Sequence, residues 1–124
     1  MTAARVRPGG RGRARTGAFV AGLLCANSLP HLATAAAGRC HLTPIGGAES
    51  SRGINAAWGA ANLIGGLALI AHSARGEGLS AGSVRGEERW DSRLVAFDLG
   101  AAVFAAWMAA SEATLQVNWS PPED

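Results

Sequence analysis

The sequence predicts an all-α protein, a small transmembrane helical bundle of three spans. Three observations lead there. Apolar residues gather in three stretches, each near the length that crosses a bilayer; segments rich in Arg and Gly separate them; and inside the stretches small and polar residues recur at helical spacing. A transmembrane helix needs about 20 mainly apolar residues, because each residue advances it by about 1.5 Å through roughly 30 Å of hydrocarbon.

Ahead of the first stretch, residues 1–16 combine Gly, Pro and Arg without apolar periodicity. This reads as a disordered basic cytoplasmic arm near anionic headgroups, serving either as a lipid contact or simply as a topology signal. The first span is expected at about 17–38, with Asn27, Ser28, Pro30 and His31 near its centre. Pro30 lacks a backbone donor and crowds the preceding turn, so a kink or break is expected near Asn27. A second reading of this window is a cleaved signal peptide. Five Arg precede a short apolar run, and a small-residue tail with Ala33-Thr34-Ala35 or Ala35-Ala36-Ala37 follows. Cleavage would leave two spans of a secreted or membrane protein.

The second span is expected at about 54–73, bounded by Arg52 and Arg75 and free of formally charged side chains. Residues 74–93 balance four Arg against four acids, as a solvated loop does. The third span, at about 94–115, is flanked by Trp90 and Trp119, where interfacial rings lie. The membrane domain thus runs over 17–117, and 118–124 form a polar tail. Asn118-Trp119-Ser120 matches a glycosylation pattern, disregarded for a bacterial protein.

Loop arginines set orientation. Arg5, Arg7, Arg11, Arg13 and Arg15 share a side with Arg75, Arg85, Arg89 and Arg93, and the other side receives Arg39 and Arg52. The amino terminus is therefore expected in the cytoplasm and the carboxyl terminus outside, in a bacterial inner membrane. All 11 basic residues are Arg, as in very GC-rich genomes.

Polar groups in hydrocarbon are costly and normally face other helices or a wet cavity. On the second span Asn55, Gly59, Asn62 and Gly66 fall within about 60° of one another at roughly 100° per residue. On the third span Asp98, Ala102, Ala105, Ala109 and Glu112 form a similar stripe, with Trp107 opposite. Gly59, Gly66, Ala102, Ala105 and Ala109 are the expected packing positions, with the two stripes meeting. Asn27, His31, Asn55, Asn62 and Glu112 are the candidate intramembrane polar cluster, in which His31 would bond or ion-pair with Glu112. Asp98 is an acid near the inner surface, expected to pair with Arg93 or Arg75 or else to relay protons.

The segment Asn27-Ser28-Leu29-Pro30-His31, then Gly38-Arg39, Thr43-Pro44 and Asn55-Ala56-Ala57-Trp58-Gly59 with Asn62, resembles a family of uncharacterised small multi-pass membrane proteins of high-GC bacteria, over roughly residues 17–115. Leu32 and Ile45 stand where that family carries aromatics. The resemblance implies a retained first span and supplies no activity.

A net charge of +2 and the lack of a basic run interleaved with aromatics argue against nucleic acid as a partner. The two cysteines, Cys25 and Cys40, have no metal-ligand spacing. No nucleophile elbow, phosphate-binding loop or H-E-x-x-H pair occurs, so no catalytic, metal or cofactor residues are assigned. The sequence favours an accessory or scaffold protein whose partners are the bilayer and other membrane helices or further copies of itself. The alternative is a small oligomeric proton-coupled transporter, and a membrane enzyme ranks third.

Overall fold

A computed structural model describes residues 9–75, 92–116 and 118. It contains three helices, α1 (Gly9–Ala37), α2 (Arg52–Arg75) and α3 (Ser92–Thr114). Within them Gly12–Ala37, Arg52–Ser73 and Ser92–Thr114 are long and apolar enough to cross a membrane. The burial pattern suits a bilayer. Among the described residues the buried apolar ones are only Ala18, Ala21 and Ala35, whereas His31, Thr34, Asn55, Asn62 and Ser111 are buried and Leu29, Ile64, Leu67 and Leu99 are exposed. In water such an inverted surface would be a severe aggregation hazard; against lipid tails it carries no such penalty.

The first helix begins earlier than expected. Gly9 to Thr16 form its first turns, so the disordered arm is corrected for these residues. Arg is a good helix former, and a helix already nucleated by a span extends through it at little cost. Arg15 Nε donates to Ser92 Oγ at 3.2 Å, tying this extension to the start of α3. The helix also continues through Pro30 without a break. It ends in a Schellman motif: Gly38 takes φ 69°, Gly38 N donates to Ala35 O and Arg39 N donates to Thr34 O. Ser51 caps α2, accepting from Ile54 N at 3.3 Å.

The helices alternate in direction, with α1 in the middle. It packs on both others, while α2 and α3 do not pack on each other. The expected meeting of the α2 and α3 stripes is therefore corrected: each helix docks on α1. Towards α2 the contact uses the expected stripe. A Cβ at Gly59 would lie 2.8 Å from Leu32 Cγ, and one at Gly66 would meet Cys25 Sγ and Ala21 O.

Towards α3 the contact runs through glycines that sequence reasoning missed. A Cβ at Gly22 would strike the Phe97 carbonyl, and one at Gly100 would strike the Phe19 carbonyl, so two bare backbones lie against each other. At roughly 100° per residue, Asp98, Ala102, Ala105 and Ala109 sit about 170° round from Gly100. All four are exposed, so Ala102, Ala105 and Ala109 are corrected as positions of packing within the chain. Asp98 shares this outward face rather than an interior one.

The basic ends coincide. Arg13, Arg15, Arg75 and Arg93 lie at the end where α1 and α3 begin and α2 finishes, and Arg39 and Arg52 lie at the other. Arg5, Arg7, Arg85, Arg89, Trp90 and Trp119, with residues 119–124 of the tail, lie outside the described residues.

Candidate functional site

At the end opposite the arginine-rich one, residues 38–51 fold back over the helices as a small polar roof. Thr43 and Gly47 exchange backbone hydrogen bonds at 2.9 and 3.1 Å across Pro44-Ile45-Gly46. Thr43 Oγ1 lies 2.6 Å from Ser50 Oγ and accepts from Gly46 N, while Ser50 Oγ donates to Gly47 O. These small hydroxyls satisfy a tight loop that contains no large apolar core.

Asn55 fastens this roof to the helices. Its Nδ2 lies within 2.8–3.2 Å of the carbonyls of Ser50, His41 and Ser51, and its Oδ1 lies 2.8 Å from His31 Nδ1. Because three carbonyls surround one side of the amide, that side must be NH2 and the other must be the acceptor. His31 therefore donates from Nδ1. The His41 ring lies 4.8 Å from that of His31, tilted by 60°.

Asn118 fastens the third helix. Gln116, at φ 51°, turns the chain back over the end of α3. Asn118 Nδ2 then donates to Ser111 Oγ at 2.9 Å and Glu112 Oε2 at 3.1 Å, its N–H donates to the same carboxylate, and its carbonyl accepts from Leu42 N at 3.2 Å. Burial, reinforced by the neighbouring His31, lowers the His41 pKa below its ordinary 6.5, against opposing pulls from a hydrogen bond to the Asn118 backbone and from Glu112.

Beneath the roof is a cavity of about 280 Å³. Asn27 and His31 of α1 form its floor, and His41 to Pro44 and Asn118 its cover; Trp58 stands on one side and Phe104, Trp107 and Met108 on the other. Since α2 and α3 do not pack together, the cavity lies in the groove they leave over α1.

The expected polar cluster is thus partly assembled. Asn27 and His31 share the cavity, and His31 bonds to Asn55. The expected His31–Glu112 pairing is corrected, since the hydrogen bonds of Glu112 go to Asn118. Asn62 is buried but donates to its own helix at Trp58 O, which makes it a packing residue. His41, Ser50, Ser111 and Asn118 were missed. The conjunction of buried hydroxyls and amides arises from loops folding back, which leaves no periodic signal; Asn118 carried only a glycosylation pattern.

No group of three or more His, Cys, Asp or Glu side chains able to hold a metal occurs among the described residues. Compared with protein-family models, curated proteins and solved structures, the chain matches none of them.

Proposed function

We propose that this is a small accessory or scaffold protein of a bacterial inner membrane that works by associating with other membrane helices, a second copy of itself included. The outward face of α3 carries the reading. Asp98, Ala102, Ala105 and Ala109 form an exposed strip, on a helix whose buried residues are only Gly100 and Ser111. Small residues let another helix approach closely, and an acid facing hydrocarbon gains most from a polar partner across such an interface. The concentration of arginine at one end favours a cytoplasmic amino terminus. Retention of the first span is favoured too, because α1 supplies the surface on which both other helices rest. Membership of the uncharacterised high-GC family remains part of this reading.

A proton-coupled carrier is the second reading, drawn from the adjacent rings of His31 and His41. Backbone contacts at Gly22 and Gly100 on one side and Gly66 on the other fill the middle of the protomer, so any pathway would have to run between protomers.

Disulfide crosslinking in native membranes tests the scaffold reading. With Cys25 and Cys40 replaced, Ala105→Cys should form crosslinked dimers or a defined heteromer under mild oxidation, while Leu67→Cys on the exposed face of α2 should not. Equal, trace crosslinking at both positions would refute association through α3.

A further inference from the structure

We propose that the roofed cavity is a binding site for a neutral, hydroxylated aromatic ring, whose hydroxyl donates to His31 Nε2. The assignment follows from the hydrogen-bond pattern. The Asn55 amide is oriented by three backbone carbonyls, so its Oδ1 receives the hydrogen of His31 Nδ1 at 2.8 Å. A neutral imidazole carries one hydrogen, which leaves Nε2 as a lone-pair acceptor. That atom makes no hydrogen bond among the described residues, although the side chain is only 3% exposed and lines the cavity. A turn earlier on α1, the Asn27 side chain lines the same space and also makes no hydrogen bond among the described residues.

The rest of the lining defines the ligand. Trp58, Phe104 and Trp107 offer ring faces and edges, which favour an aromatic body. No Asp, Glu or Arg among the described residues lines the cavity, so a charged ligand would be desolvated there without compensation from them. About 280 Å³ lies at the small end of ligand sites, enough for one ring and its hydroxyl. The groove between α2 and α3 provides lateral access, and Trp107, 65% exposed, stands at its edge. A phenolic ring has two sources: a free phenol from the aqueous interface, or the head of a tailed membrane lipid.

Calorimetric titration of the full chain in lipid nanodiscs, with protein-free discs subtracted, tests this with phenol, 4-decylphenol and 4-decylanisole. Saturable binding of a phenol is expected, with 4-decylphenol at least about tenfold tighter than 4-decylanisole, which has lost the donated hydrogen. Phenol binding as tightly as its decyl derivative would identify a soluble source, and binding of the tailed probe alone a membrane lipid. His31→Phe should reduce 4-decylphenol to the level of the anisole. Trp107→Ala, at a position 65% exposed, should weaken both tailed probes. Equal affinity for 4-decylphenol and 4-decylanisole, full affinity in His31→Phe, or no saturable heat with any probe would overturn the proposal.

Discussion

Replacing Gly100 by alanine is the sharpest test of how α3 is held. The added Cβ would sit 3.0 Å from the Phe19 carbonyl carbon and 3.1 Å from Leu23 N, with the Phe19 oxygen closer still. Ordinary carbon contacts lie near 3.5–4.0 Å, and these neighbours are helix backbone, which has no rotamer to change. The two helices must separate. Overpacking of this kind costs about 1–3 kcal/mol, and the better helix propensity of alanine returns about 1 kcal/mol. Gly65→Ala is the matched control: its Cβ would lie an ordinary 3.5 Å from Leu24 Cδ1, so it should keep the propensity gain without the clash. The difference between the two variants should therefore be about 1–3 kcal/mol, read from denaturation in bicelles followed by tryptophan fluorescence. Gly22→Ala should behave like Gly100→Ala, and the double variant should cost less than the sum, because helices already pushed apart accommodate the second methyl. Equal stability of Gly100→Ala and Gly65→Ala would refute the close backbone contact.

Further expectations concern the roof. Asn55→Ala removes the acceptor of His31 Nδ1 and the donor shared by the His41, Ser50 and Ser51 carbonyls, and should destabilise the chain by roughly 2–4 kcal/mol in the same denaturation assay. Because the His41 pKa is lowered on folding, the unfolded chain binds more protons in the window below 6.5. Its contribution to stability is full above that value and is lost as pH falls towards the folded value, so the denaturation midpoint should drop on acidification, and His41→Asn should flatten that slope. Glu112→Gln removes a charge that favours protonated His41 and should move the folded-state titration of that ring, followed by NMR, to still lower pH. The intact mass of the membrane-bound chain should include residues 17–38, and a species lacking them should be recovered without a stable α2–α3 pairing.

The three spans were legible because length and hydropathy are local properties. The packing face of α2 was legible as well: Asn55, Gly59, Asn62 and Gly66 are small or polar on one side, and Ile64 is exposed on the other. On α3 that logic pointed the wrong way. Alanine recurs all round the helix, at 8 of its 23 positions, so the spacing of Ala102, Ala105 and Ala109 carries less information than the single Gly100, where a neighbouring carbonyl leaves no room for a methyl. The site was legible only at His31 and its neighbours on the spans. His41 and Asn118 join it because a loop and a chain reversal bring them there, and their partners are 10 and 6 residues distant or more.

The central position of α1 also orders the assembly in time. It precedes α2 and α3 in the chain, so each of these helices finds its docking surface already in the bilayer and need not wait for the other. Insertion can then proceed as two independent additions to one post. An α1–α2 hairpin can pair before α3 is made, and α3 joins as a separable arm whose opposite side is exposed among the described residues.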